Sequence, residues 1–397
     1  MQAHAQSIEG LESGLVLASG IPEPHGGTPR ARGGLSRGAG MIHSALDWLF
    51  GLLSVLLGLA VFSVIPVLNL LSLGYLLHSS ARVAATGRLR DGFVGVRKAS
   101  VIGRVLVGAW LVFLPVRFLS GLWQDAELIS PGGSSSRLWH AGLVWLTVVA
   151  GIQVLWACLR GGQPWHFLWP APLRFIRWAY TPGKFRSIRD SLAAYLLSLR
   201  LEFYFWLGAR AFVGTLLWLL LPVGVLMLSL QGVPEKGGAL VSFLGAVLLM
   251  GVAVYLPIVQ TRFAVENRFS AMFELREVRQ LFQRAPIAFW LALSTTFLFA
   301  IPLYLLKIEL PPREIAWLPS LLFVLFILPA RMLTGWALSR ALRRENPCHG
   351  LVRWTSRLAL VPVVTLYVVI VYLAQYISWD GTLSLFQQHA FLLPSAQ

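Results

Sequence analysis

Four arginines fall within or beside apolar stretches: Arg104, Arg117, Arg210 and Arg331. Two share a context. Leu114-Pro115-Val116-Arg117-Phe118 and Leu328-Pro329-Ala330-Arg331-Met332 both read Leu-Pro-x-Arg-apolar. A proline inside an apolar helix leaves a backbone carbonyl without its donor. A guanidinium two residues on can bind that carbonyl or an anionic group. Arg117, Arg210 and Arg331 are therefore candidate contacts for an anion or a lipid. The competing explanation is snorkelling. Arg117 lies six residues from Trp123, about 9 Å of helix rise, so its head can reach the interface. Arg331 is nine residues from Arg340 and harder to bring out.

The other reactive residue types point away from catalysis. Of the 17 acidic residues, only Asp47 lies within an apolar run, near its start. Proton- and cation-coupled carriers use intramembrane acids, so paired-carboxylate, two-metal and proton-relay chemistry is disfavoured. His140 stands beside Trp139 at the end of a stretch, as an interfacial histidine does. Cys158 and Cys348 lie on or beside basic segments and have no metal-ligand spacing; Cys348-His349 is a lone pair. There is no nucleophile–base pair and no phosphate-cradling glycine loop. No catalytic residue, metal ligand or cofactor-binding residue is assigned, and the chain is expected not to be an enzyme.

The elements that must position these arginines are apolar helices. The 397 residues are 56% hydrophobic and 13% charged, with mean hydropathy +0.69, and soluble domains carry about 25% charged residues. The expectation is an all-α, polytopic helical transmembrane bundle with short interfacial helices. Seven spans are predicted at about 104–123, 138–158, 204–229, 239–260, 287–307, 316–338 and 359–378. The first apolar run, Ala45 to about Ser80, is interrupted by Pro66 and Asn69. One helix of that length would be about 50 Å long, against a hydrocarbon core of about 30 Å. It is either one kinked helix or two short helices that turn back near Ile65-Pro66, giving eight or nine crossings. Residues 1–40 read as a disordered Gly/Pro-rich tail. A first transmembrane half follows over 41–230 and a second over 231–380, with a short non-cytoplasmic tail at 381–397.

Charge orients this bundle. The segments 79–104, 159–202, 261–286 and 339–358 hold 23 of the 33 basic residues and seven acids, so they carry the whole net charge of +16. The segments 123–137, 231–237, 308–315 and 378–397 hold three basic residues and six acids. That alternation is the positive-inside pattern of a cytoplasmic (inner) membrane protein, with a non-cytoplasmic C-terminus. Nucleic acid is not needed to explain the excess and is not expected as a partner. Within 159–202, arginines and aromatics interleave at Arg174, Arg177 and Trp178, followed by Lys184, Arg186 and Arg189. This predicts a short helix in the cytoplasmic headgroup layer.

Two of the basic segments align without gaps. Residues 75–93, YLLHSSARVAATGRLRDGF, and 255–273, YLPIVQTRFAVENRFSAMF, match at a constant offset of 180. Arg82 meets Arg262, Arg88 meets Arg268 and Phe93 meets Phe273. Gly87 faces Asn267, the two residue types that best tolerate a left-handed turn. Each copy reads as a helix end, an arginine, a turn, a second arginine and a closing phenylalanine. Both copies face the same side, so the repeat is parallel.

Ile65-Pro66-Val67-Leu68-Asn69, Leu73-Gly74-Tyr75-Leu76-Leu77, Arg82 and Gly87-Arg88-Leu89 resemble a pattern in uncharacterised bacterial polytopic proteins, the family called domain of unknown function 4013. Arg262 to Phe273 is similar to that family's Arg–turn–Phe element. Pro257 stands where the first copy has Leu77, and the second copy lacks the Pro-Val-Leu-Asn and Gly-Tyr elements. The family has no established activity, so the resemblance implies location and architecture alone. The residues themselves favour a non-enzymatic membrane protein that binds protein partners or anionic lipid through its basic cytoplasmic segments. The alternative is a carrier or permease subunit for an anionic or amphipathic solute, using Arg117, Arg210 and Arg331.

Overall fold

The computed structural model describes residues 34–171, 184–230, 235–306, 317–377 and Leu385. By contact the chain divides into Met1–Leu46 and Asp47–Gln397; the described residues of the first unit, 34–46, are the start of a helix. The described residues are helices joined by turns, with no strand among them. The cause is the solvent the sequence is suited to: in hydrocarbon each backbone N–H and C=O must be paired within its own segment.

Twelve α-helices are described: α1 (Gly34–Val64), α2 (Asn69–Thr86), α3 (Val96–Ile129), α4 (Ser134–Leu159), α5 (Pro164–Leu168), α6 (Lys184–Ser198), α7 (Leu201–Leu230), α8 (Glu235–Glu266), α9 (Leu275–Arg284), α10 (Pro286–Leu306), α11 (Trp317–Leu342) and α12 (Gly350–Ile377). Each expected span coincides with one of them. Helix α1 begins at Gly34, inside the stretch read as a tail. Once an apolar helix is nucleated, each added residue costs little, and no proline intervenes. Seven stretches are long and apolar enough to cross a bilayer: Ser44–Val64, Val96–Ile129, Ser134–Leu159, Arg189–Leu228, Gly237–Glu266, Leu318–Leu342 and Gly350–Leu373. An eighth is added if Leu275–Arg284 and Pro286–Ile301, bent by 107° at Ala285, form one span. The all-α bundle fits a multi-pass membrane protein.

The first apolar run is two helices. The chain breaks at Ile65–Leu68, where Val67 adopts φ 71°. The Ser72 hydroxyl donates to the Leu59 carbonyl at 2.9 Å, 13 residues back. In one continuous helix those residues would stand about 20 Å apart along the axis. The chain therefore folds back.

Helix α2 is the centre of the packing. Helices α7, α8 and α11 all lie against it. Thirteen of its 18 residues are buried, among them Ser72, Ser79 and Ser80. Asn69, His78 and Arg82 make α2 too polar to count among the apolar spans, and its small serines let neighbours come close. A Cβ at Gly74 would overlap the Tyr204 carbonyl of α7, and one at Gly208 would overlap the Leu70 carbonyl of α2. A Cβ at Gly335 of α11 would overlap the Ser80 carbonyl. Helices α7 and α8 form an antiparallel pair, α10 packs on α11 and α12, and α3 and α4 pack on each other and on α5. The largest buried cluster runs from Leu73 and Leu77 through Leu207, Leu256 and Phe263 to Phe289, Phe297 and Tyr367.

Candidate functional site

The two arginine turns share their backbone conformation up to the closing phenylalanine. Helix α2 ends at Thr86, and Gly87 follows at φ 74°, ψ 7°, its N–H donating to the Val83 carbonyl at 2.7 Å. Arg88 is extended at φ −112°, ψ 121°, then Leu89–Gly92 make a 3₁₀ turn closed by Phe93. Helix α8 ends at Glu266, and Asn267 follows at φ 52°, its N–H donating to the Phe263 carbonyl at 2.7 Å. Arg268 is extended at φ −120°, ψ 117°, then Phe269–Met272 make a 3₁₀ turn closed by Phe273. Each phenylalanine meets a tryptophan of an earlier helix: Phe93 meets Trp48 edge-on at 5.4 Å, and Phe273 stacks on Trp218 at 6.3 Å. The Trp218 indole N–H also donates to the Met272 carbonyl at 3.0 Å.

The second turn is electrostatically closed. Arg262, 5% exposed, donates from Nε to Glu266 at 2.6 Å and from Nη2 to both Glu274 and Glu277. Arg268 shares two of those acids, meeting Glu266 at 2.8 Å and Glu274 at 3.1 Å. The hydrogen bond to Glu266 holds the Arg268 guanidinium above its already high basicity. Arg210 donates to Asn267 Oδ1 at 2.7 Å and lies over the Phe263 ring at 5.7 Å. Helix α9, which supplies Glu277, is amphipathic: Val278, Leu281 and Phe282 are buried while its charged residues face out. The acids here are taken up by arginine. Among the described residues no group of three or more His, Cys, Asp or Glu is placed to hold a metal ion.

Beside the first turn lies a cavity of about 310 Å³ lined by Gly87, Trp336, Ser339, Arg340, Arg343 and Arg344. Arg343 Nη2 donates to the Thr86 carbonyl at 2.7 Å, capping α2. The Arg340 guanidinium lies 4.5 Å over the Trp336 ring. Arg344 Nη1 reaches the Arg284 carbonyl at 3.3 Å and Cys348 Sγ at 3.1 Å. Cys348 is thereby tied to the end of α9, and Cys158 is a free thiol on α4.

The three arginines singled out within spans stand at separate positions. Arg117 is exposed on α3. Arg210 belongs to the second turn. Arg331, 1% exposed, donates from Nη1 to Gln260 Oε1 at 2.5 Å. The Gln260 amide donates to Thr215 Oγ1 at 2.5 Å, so a buried polar chain ties α11 to α8 and α7. One acceptor for Arg331 is thus an amide of a neighbouring helix. Gln260 and Thr215 are not ionisable and carry no charge signal in the sequence; a glutamine inside an apolar stretch is the feature that marks them. Of the other expected residues, Asp47 faces Arg104 at 3.9 Å, and His140 packs on Trp123 at 5.1 Å. Arg174, Arg177 and Trp178 lie outside the described residues. Arg186 and Arg189 are on α6, with Arg189 exposed and paired to Asp190 at 3.1 Å. Tyr195 of the same helix donates to the Lys98 carbonyl at 2.8 Å, which docks α6 on the start of α3.

Residues 200–311 match the model of a family described as protein of unknown function (DUF4013). The match takes in α7, α8, the second arginine turn, α9 and α10. The family resemblance is therefore carried by the second turn and its helices, while Ile65–Gly92 lies outside the matched stretch. No curated protein matches the chain, and no solved structure does.

Proposed function

We propose that this chain is a non-enzymatic, multi-pass protein of the cytoplasmic membrane that binds anionic lipid or partner membrane proteins through its basic cytoplasmic segments. The observation that carries the proposal is the placement of arginine. Arg117, Arg210 and Arg331 stand apart, and Arg331 is held by helix packing, which weakens the carrier alternative. Arg340, Arg343 and Arg344, by contrast, gather round one cavity at a helix end. Anionic headgroups of the cytoplasmic leaflet are the natural counter-charge for such a face. The alternating charge of successive loops supports a non-cytoplasmic C-terminus.

The two turns are, in this proposal, equivalent points of a parallel internal repeat. In its support stand the constant offset of 180, the same run of backbone conformations and a tryptophan behind each closing phenylalanine. The functional reading is tested by extracting the protein gently from its own membrane and determining the co-purifying lipids and proteins. Enrichment of anionic phospholipid over the bulk membrane, or a stoichiometric protein partner, is expected. It should fall when Lys184, Arg186 and Arg189 are replaced by glutamine. Bulk lipid composition with no protein partner overturns the proposal.

A further inference from the structure

We propose that the cavity beside the first arginine turn is a binding site for one phosphoryl group, created because this turn lacks the three carboxylates that close the second. The inference rests on the cytoplasmic basic face proposed above and narrows it to one site. At the offset of 180, Glu266 corresponds to Thr86, Glu274 to Val94 and Glu277 to Arg97. The second turn holds two arginines against three acids. The first keeps both arginines, Arg82 and Arg88, replaces the acids with a hydroxyl, an isopropyl group and a further cation, and receives Arg340, Arg343 and Arg344 from the end of α11. Arg82 and Arg88 do not line the cavity, whose cations are Arg340, Arg343 and Arg344; Arg82 Nε is buried with no hydrogen-bond acceptor, whereas its counterpart Arg262 Nε is bonded to Glu266. Among the described residues no carboxylate lies in ion-pair range of Arg82, Arg88, Arg340, Arg343 or Arg344.

Donors remain for a ligand. A guanidinium carries five N–H donors. Arg340 gives its face to Trp336 and no N–H to a described acceptor, and Arg343 spends only Nη2, on Thr86. Several guanidinium forks converging on a small space suit the oxygens of a phosphate better than a single carboxylate. The carbonyl ends of α2 and α11 disfavour an anion, so the arginines must supply the attraction, and Arg343 already neutralises one of those carbonyls. About 310 Å³ is at the small end of ligand cavities, a size that suits a phosphoryl headgroup. Trp336 and Ser339 place the cavity at the end of an apolar helix, the end at which headgroups lie when such a helix crosses a bilayer. A lipid phosphate monoester and a free phosphate share this chemistry.

The test uses the full chain in two kinds of nanodisc: phosphatidylcholine alone, and phosphatidylcholine with phosphatidic acid. Native mass spectrometry reads bound lipid, and inorganic phosphate is titrated into both. One phosphatidic acid per chain, retained where phosphatidylcholine is stripped, identifies a headgroup site. One inorganic phosphate bound in phosphatidylcholine alone identifies a soluble source. Either result supports the site if Thr86→Glu and Arg340→Gln each weaken binding about tenfold or more. Thr86→Glu restores the internal carboxylate of the second turn, and Arg340→Gln guards against a folding defect in that variant. Arg276→Gln, the same charge change on exposed α9, should leave binding intact. Equal retention in all three variants, or equal loss in all three, means diffuse charge; it overturns the site and leaves the broader lipid-binding proposal standing. Absence of both ligands from the unaltered protein overturns the site outright.

Discussion

At the scale of single residues, the strongest constraint is a charge held inside the bundle. Arg331 is fully buried and reaches Gln260 across a helix boundary. Hydrogen bonds to charged groups contribute about 1.5–3 kcal/mol, so Gln260→Leu should lower stability by that order, read as a fall in Tm in detergent. Gln260→Leu combined with Arg331→Met should recover part of the loss, because an apolar pair of similar volume removes the buried charge along with the hydrogen bond it loses. A double variant as unstable as Gln260→Leu would show that Arg331 does more than pack. Gly87 sets a second constraint. Its φ of 74° costs a side chain about 1–2 kcal/mol, and a Cβ there would collide with the Arg343 guanidinium. Gly87→Val should lose that much stability in thermal unfolding. Gly87→Asn should lose less, since asparagine already holds the same conformation at position 267.

At the scale of elements, close backbone approach decides which helices pair. Gly74 and Gly208 lie at a crossing where each would strike a carbonyl of the other helix if it carried a Cβ. Backbone cannot rotate away as a flexible side chain can. Gly208→Val should therefore separate α2 from α7 and abolish recovery of folded protein in size-exclusion chromatography. Gly251 of α8 faces open space. Gly251→Ala should be neutral or stabilise by up to about 1 kcal/mol through helix propensity, and a loss of folded protein there would refute the packing described. The same crossing explains why a helix as polar as α2 lies at the centre: its serines are small, and Ser72 and Ser80 bond to helix carbonyls at 2.9 and 2.7 Å.

At the scale of the whole molecule, charge asymmetry predicts which loops face the cytoplasm. With Cys158 and Cys348 replaced by serine, a single cysteine at Ser130, between α3 and α4, should react with a membrane-impermeant maleimide on intact cells. One at Glu345, between α11 and α12, should react only after permeabilisation. The inverse pattern would reverse the proposed topology and take the arginine cavity away from the cytoplasmic leaflet.

Local chemistry was legible from residues alone. Long apolar stretches between charged loops mark helices because hydrocarbon forbids unpaired backbone, and each expected span coincides with a helix. The left-handed positions at Gly87 and Asn267 were legible because few residue types adopt that conformation. The family resemblance was legible through the Arg–turn–Phe pattern, although the match falls on the second turn. Contacts between distant segments were not legible. Whether Ala45 to Ser80 is one helix or two depended on a bond from Ser72 to Leu59, and no local preference encodes that pairing. Arg331 and Arg117 share the same local sequence, yet one is buried against Gln260 and the other lies exposed on α3. The cavity at Gly87 draws on residues from α11, some 250 positions away. Sequence spacing sets what a segment can be, while the burial and partner of each side chain depend on which helices its neighbours happen to be, and only the tertiary structure decides that.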